Sequence, residues 1–532
     1  MNRHRSSMLL LAALACSRPP AATAPAPASP APVVADDITA DELRRDLFAF
    51  AADSFRGREA GTADGLRAAR FIAERAASLG LEPAGDSGFF QRVPLERMRF
   101  GEGTRFTVTE GGRTTELALA RALAPILNLG EGAPEPKRAA AGEVVFLGHL
   151  SDPAAAQREL GALDLRGKIA VVLHGAPAGA DSATRARLES QEMLSTRIGL
   201  PIQRGPAAVI LLMHGGTEKT YTQFAPELLR GMEAAKSGGA QSDAERPLPM
   251  VLIGLAREAS ALLPADWERA RPQALAGRRF TAQLDVRREP AAAYNVAAIV
   301  RGSDARLAHS YVAFGAHLDH IGIQAPVAGD SIANGADDDG SGSMALLAVA
   351  RALQAAPTKP RRSVLFVWHT AEEKGLLGSS YFVDHPTVPI DSIVAQVNAD
   401  MIGRRAAATE GAPLPADAES RLFVVGPGAA PNDQSKMLGR LVDSVNAQLP
   451  RPFAFDREWD TPTHPERIYF RSDHYNYAKK GIPIVFFTTG LHPEYHKVTD
   501  SADKIDYDKL ARVSRLLLHV GVAVANRDKR PR

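Results

Sequence analysis

Short apolar runs that stop at acidic or imidazole side chains constrain this chain more than any other feature. Tyr311–Gly315 leads to His317 and Asp319, Val364–Trp368 to Glu372 and Glu373, and Ile393–Val397 to Asp400. A fourth run, Ile482–Phe487, follows, and helical stretches such as Ser343–Ala356 and Lys509–Asn526 alternate with them. Runs that are apolar on both faces and alternate with helices indicate a parallel sheet covered on both sides. In open α/β sheets, ligands sit beyond the carboxyl ends of the strands. The expected fold is therefore α/β, with a mostly parallel central sheet flanked by helices. The polar residues that close the runs fall where such a sheet builds a site.

Five segments in this region carry metal-type ligands. They read GAHLDH (His317, Asp319), GADDDGSGS (Asp338), HTAEEKG (Glu372, Glu373), VNADMIG (Asp400) and PEYHKVTD (His496). Imidazole and carboxylate together suit a borderline cation such as Zn²⁺. Two divalent cations about 3.5–4 Å apart repel, so they need more carboxylates than histidines, one of them bridging. Asp338, Glu373 and Asp400 would supply three negative charges, and His317 and His496 one neutral nitrogen to each cation. Spacing alone leaves open which residue of Asp337-Asp338-Asp339 binds. Glu372 and Glu373 are adjacent. If extended backbone continued past Trp368, their side chains would diverge, one to metal and one to a water whose proton it takes. The set implies a two-metal hydrolase.

Composition excludes other classes. A net charge of +2 gives no electrostatic reason for a nucleic-acid partner, and an apolar fraction of 45% excludes general disorder. At 532 residues the chain exceeds one ordinary core. The single cysteine, Cys16, follows Arg3, His4, Arg5 and the apolar run Met8–Ala15. That run is far shorter than the ~20 residues needed to span a bilayer and has the layout of a signal peptide. Ala13-Leu14-Ala15 suits cleavage, and Ala15-Cys16 resembles the end of a lipoprotein box. The expected location is outside the cytoplasm: periplasmic or outer-membrane-anchored through Cys16, or extracellular. The only membrane link would be that lipid.

The expected organisation is a signal peptide (1–15), a Pro/Ala-rich tether (16–38), a catalytic domain in two pieces (39–105 and 290–530) and an insert (140–270). Thr39 or Asp41 can cap a helix carrying Leu43, Leu47, Phe48 and Ala51, and a second helix runs from about Thr62 to Leu79, stopped by Gly80. SFRGREAGTADG between them reads as a structured loop. The insert holds strand-like runs without ligand clusters. His174 and His214 follow two of these runs, each alone beside glycine. KSGGAQSDAE at 236–245 reads as an exposed loop.

AHLD, GADDDGSG, AEEKGLLGS, NAD and YHKVTDSADKI resemble the motifs of the zinc aminopeptidase family typified by bacterial leucyl aminopeptidases, with glutamate carboxypeptidases as relatives. SFRGREAGTADGLRAARFIAERAASLGLEP resembles that family's opening helices, and LDLRGKIAVVLHG resembles an inserted protease-associated domain. The resemblance implies two zinc ions and peptide substrates. It makes His317 and Asp400 ligands of one ion, Glu373 and His496 of the other, Asp338 the bridge and Glu372 the general base acting on a metal-bound hydroxide. It further implies a cis Asp338–Asp339 bond, Asp319 orienting His317, Tyr495 donating to the oxyanion, and Asp473 and His474 on the substrate side. His320, His369 and His492 match no ligand position. An aminopeptidase is expected, because Asp339 stands where carboxypeptidase-like relatives often have proline. The alternatives are a carboxypeptidase with the same metals and a receptor-like protein that has lost them. The sequence leaves open the oligomeric state, the side-chain preference and which of Arg404, Arg405, Arg467 and Arg471 lie near the site.

Overall fold

The β-branched and aromatic runs become the centre of a large mixed sheet. Its order is Ala454–Asp456, Arg421–Val425, Ile484–Thr488, Ile393–Ala399, Tyr311–His317, Ser363–His369, Val286–Val300, Phe90–Phe100 and Met232–Ala235, with Glu82–Pro83 also paired to Val286–Val300. Our computed structural model describes residues 37–126, 137–152, 157–158, 160–161, 163–177, 179–222, 225, 232–235, 248–405 and 413–531. The leader, Cys16, nearly all of the tether and the 236–245 loop lie outside these residues. Parallel pairing joins the four central strands, from Ser363–His369 across to Ile484–Thr488. The long strands Val286–Val300 and Phe90–Phe100 join antiparallel. The expected mostly parallel sheet is thus parallel at its centre and antiparallel over much of its flanks.

Both faces are covered, which is why the central runs do not alternate with polar residues. Val312, Phe314 and Ala316 pack with helices Ala40–Phe50, Ala63–Ser78, Gly342–Ala355 and Tyr507–Ala525 on one face. Tyr311, Ala313, Leu365 and Val367 meet helices Leu377–Asp384 and His474–Lys479 on the other. The opening helices form as read. Thr39 caps the first by accepting from Glu42 N, Thr62 caps the second, and Gly80 adopts the left-handed conformation (φ +72°) just past its end. Phe48, one of the apolar positions of the first helix, is 42% exposed, because the buried stripe runs through Leu43, Leu47 and Phe50.

A second sheet, of eight strands, occupies the middle of the chain. Its strands lie between Arg105 and Gln283, so it extends beyond 140–270 on both sides. Ala139–Phe146, Ile169–His174, Ala208–Met213 and Met250–Leu255 pair in parallel in that order. The stretch that forms this sheet begins and ends side by side, where Gly101 N donates to Asp285 O at 2.7 Å, and within it Met232–Ala235 pairs back onto Phe90–Phe100 of the main sheet.

Candidate metal centre

The carboxyl ends of the central strands converge. His317 ends its strand opposite His369, Asp400 directly follows Ala399, and Glu372 and Glu373 lie just beyond His369. Asp338 sits in the loop that opens helix Gly342–Ala355, and the Asp338–Asp339 peptide bond is cis, as the resemblance implies. The Glu pair does not sit on continued strand. Ala371 turns left-handed (φ +54°), and Glu372 O accepts from Gly375 N and Leu376 N. The two carboxylates part because the backbone turns, not because it stays extended.

Asp338 stands between two imidazoles. Its Oδ1 lies 3.1 Å from His317 Nε2 and its Oδ2 3.2 Å from His496 Nε2. His317 Nε2 is also 3.6 Å from Asp400 Oδ1, and His496 Nε2 is 3.0 Å from Glu373 Oε2. Two atoms that share a zinc-type cation at 2.0–2.2 Å stand about 3–4 Å apart. His317 Nε2 is buried without a hydrogen-bond partner, as a ligand nitrogen awaiting a cation would be. The donor set therefore fits two cations with Asp338 between them. Glu372 Oε2 lies 3.8 Å from His317 Nε2, beside this pair of groups.

Burial and mutual charge set the electrostatics. Burial alone would depress His317, but Glu372 and Asp400 outweigh it and hold the imidazole well above its ordinary range. Burial raises Glu372, reinforced by Glu373, Asp400 and Asp473 against the opposing His317. Glu373 goes the other way, to about 2, because His496 and His320 overcome its burial. The adjacent carboxylates thus differ in proton affinity.

Neighbouring acids are held by backbone. Asp339 also lies within ligand reach of His317 and Asp400. Its oxygens, however, accept from His317 N, Gly342 N and Met401 N, which makes it a brace for the loop. Asp337 accepts from Gly403 N, and Asp500 from the N–H groups of both Asp337 and Asp338. Asp319 meets His317 Nδ1 through its backbone carbonyl at 3.1 Å, while its carboxylate stands 3.9 Å away and accepts from Glu372 N. Its hydrogen-bond contact with the histidine is therefore main-chain.

Three contributors escaped the sequence reading. Ser472 Oγ donates to Asp400 Oδ2 at 2.7 Å and accepts from Asn398 Nδ2. Its only signal was its place beside Asp473. Arg58, from the SFRGREAGTADG loop, is fully buried and donates to the carbonyls of Leu318, Asn334 and Gly335, joining two ligand-bearing loops. His320, which matched no ligand position, places Nδ1 2.7 Å from Glu373 Oε1. His369 faces Tyr477, and His492 faces the pair Asp337/Glu494.

The cavity over the centre is lined by the polar Asp338, Glu372, Asp400 and His496 together with the apolar Trp459, Ile468, Phe486 and Leu491. Tyr495 and Arg471 close it, with Arg471 Nη2 donating to Tyr495 Oη at 3.1 Å. Burial pushes the Tyr495 phenol up to about 12. Asp473 and His474 are not in the lining. Both are fully buried, His474 stacking on the far side of Phe486, so the expected substrate-side position is corrected. Of the four arginines left open, Arg471 alone lines the cavity. Arg404 pairs with Glu494 and Asp500, Arg405 with Asp506, and Arg467 lies over Phe470.

In the second sheet, His174 and His214 are not isolated. With His149 they gather at the carboxyl ends of three adjacent parallel strands. His149 Nε2 faces His214 Nε2 at 3.0 Å, and Arg197 Nη1 reaches His174 Nδ1 at 2.8 Å. Burial, aided by Arg197, pushes all three down to about 4. Among the described residues they join no group of three metal-type ligands.

A "Probable leucine aminopeptidase" of Trichophyton verrucosum is 27% identical over 267 residues, covering 49% of this chain and 65% of the relative. The chain thus spans less than two thirds of that relative's length. Among solved structures, an aminopeptidase from Aneurinibacillus sp. strain AM-1 shares the fold at 19% identity and a TM-score of 0.55, covering 94% of this chain and 97% of its own. A zinc aminopeptidase from Bacillus subtilis does so at 18% identity and 0.51, covering 91% and 94%. Residues 295–521, which hold all five candidate ligands, match the sequence profile of peptidase family M28, and this segment of the chain belongs to that family.

Proposed function

We propose that this protein is a two-zinc exopeptidase that removes amino-terminal residues from peptides. The observation that carries the reading is Asp338, whose two oxygens face the His317/Asp400 group and the His496/Glu373 group. When bound, the cations would supply Lewis-acid chemistry, polarising a carbonyl and acidifying a water. The chain's own residues do the rest. Glu372 lines the cavity beside both groups, so it can accept the proton of an attacking water and deliver it to the departing amide nitrogen. Tyr495 accepts from Arg471, which leaves its own O–H to donate to the carbonyl oxygen as negative charge develops there. Met401, Trp459, Ile468, Phe486 and Leu491 offer an apolar wall to the side chain next to the scissile bond. Acidic side chains around the centre suit a free α-amino group.

One observation favours a second reading, a carboxypeptidase. Arg471 lines the cavity and could hold a terminal carboxylate. Against it, Arg471 is already engaged by Tyr495 and Glu466. Export and a tether at Cys16 would place the activity outside the cytoplasm, and the second sheet is the part to which the protease-associated likeness applies. The test is a peptide assay of zinc-loaded protein. N-terminal acetylation of the substrate should abolish cleavage while C-terminal amidation should not. The opposite pattern would establish the carboxypeptidase, and no cleavage of either with two zincs bound would leave a binding protein.

A further inference from the structure

His320 lies in the wall of the second candidate cation group, and neither the resemblance nor the ligand set assigns it a role. It is fully buried, and its Nδ1 stands 2.7 Å from Glu373 Oε1 and 3.8 Å from Asp338 Oδ2. With Asp338 and Glu373 it makes a compact His/carboxylate group, so it could be a ligand or a partner of a ligand.

The spacings separate these two possibilities. Atoms sharing a zinc-type cation with tetrahedral geometry stand about 3.3–3.5 Å apart. His496 Nε2 meets Asp338 Oδ2 at 3.2 Å and Glu373 Oε2 at 3.0 Å, close to that range. The 2.7 Å between His320 Nδ1 and Glu373 Oε1 is instead a charge-assisted hydrogen-bond length. Glu373 is therefore held between two imidazoles with a division of labour, Oε1 toward His320 and Oε2 toward His496.

The ring itself is fixed. Gly335 packs against it so closely that a Cβ there would lie 2.4 Å from His320 Cγ and 2.5 Å from Cδ2, and Gly335 holds a left-handed φ of +57°. The backbone N of His320 donates to Arg58 O, and His496 meets the ring edge-on at 5.8 Å. A ring clamped in this way keeps its N–H aimed at one oxygen.

The geometry points to His320 as a positioning residue: its Nδ1–H occupies Glu373 Oε1 and so presents Oε2 alone to the second cation. The assignment rests on the two-cation reading. It gives a reason for an otherwise unexplained buried histidine, because a carboxylate free to rotate would offer either oxygen, or both, to the cation. Outer partners of this kind typically alter metal affinity 10–100-fold.

The test measures metal binding rather than turnover. Metal-free wild type and the variants His320→Asn, His320→Gln and His320→Leu are titrated with Zn²⁺ against a competing chelator, and with Co²⁺ while its visible spectrum is followed. Asn puts an amide N–H near the Nδ1 position, whereas Gln reaches toward Nε2. His320→Leu and His320→Gln should weaken the second equivalent roughly 10–100-fold and alter its Co²⁺ spectrum, with the first equivalent unchanged. His320→Asn should stay within about threefold of wild type, the rescue that a packing role would not give. Equal weakening in all three variants, or no weakening in any, overturns the proposal, and complete loss of one equivalent would make His320 a ligand. Wild type that binds a single equivalent would sink the two-cation reading instead. The proposal would then stand or fall on whether His320→Leu weakens that equivalent while His320→Asn does not.

Discussion

Two adjacent glutamates carry opposite proton affinities, and the cause is which imidazoles each one meets. Glu373 is gripped by His320 and His496, while Glu372, raised by burial, sits among Glu373, Asp400 and Asp473, with His317 opposing them. Glu372→Gln should therefore keep both cations and the fold while kcat falls about 10²–10⁴-fold, the usual contribution of a general base. Metal content and single-turnover rates check this. A variant that lost metal would show Glu372 to be a ligand. Identifying residues of this kind was largely possible from sequence, because a carboxylate pair after a strand-like run is a local pattern. Ser472 and His320 were not legible, since their partners Asp400 and Glu373 are 72 and 53 positions away.

At the scale of elements, the site depends on a loop far from the ligands in sequence. Asp53–Arg58 turns through consecutive left-handed residues at Arg56, Gly57 and Arg58, and Gly57 fits there because a Cβ would strike Gly322 and the Ala333 carbonyl. This turn delivers the Arg58 guanidinium, without a carboxylate hydrogen-bond partner, to three carbonyls on the loops carrying His317 and Asp338. Arg58→Met would strand those buried acceptors, at about 1–3 kcal/mol each. We expect a loss of roughly 3 kcal/mol or more in chemical denaturation of the metal-free protein, and weaker binding of both cations. Arg58→Lys should recover only part of it, because an ammonium cannot reproduce the guanidinium fork. A variant as stable as wild type would show the contacts to be incidental. The loop itself was readable as structured from its glycines, but its destination was not.

Across the whole molecule, the second sheet should be separable. Gly101 and Asp285, at the two ends of the stretch that forms it, are hydrogen-bonded neighbours. Replacing 104–283 by a short Gly-rich turn should thus preserve metal uptake and cleavage of small aminoacyl substrates while changing the preference among longer peptides. Unchanged length preference would show that this sheet does not shape access. The excision also removes Met232–Ala235, which covers the edge of Phe90–Phe100, so lower solubility is expected as well. The sheet has its own pH response. Unfolded histidine titrates near 6.5, whereas His149, His174 and His214 are held at about 4 in the fold. Between these values the unfolded state binds more protons, so stability is complete above about pH 6.5 and falls as pH drops toward 4. Hydrogen exchange of Ile169–His174 and Ala208–Met213, corrected for intrinsic rates, should show protection declining through that window. Constant protection would contradict it.

The sequence by itself determined the central strands, the helices around them that it names and the ligand-type residues, because each is a matter of local pattern. A both-sided apolar run needs two helical layers, Thr39 and Thr62 need only the next turn of backbone, and a strand end needs only the residue that follows it. Tertiary structure alone decided which ligand-type atoms stand together. Asp338, not the equally acidic Asp337 or Asp339, faces the imidazoles because backbone amides from His317, Gly342, Met401 and Gly403 claim its neighbours. It also buried Asp473 and His474 outside the cavity lining, set Arg471 in its wall and brought three lone histidines together. These outcomes depend on strand order and loop closure between residues tens to hundreds of positions apart, and periodicity within a short window holds no record of them.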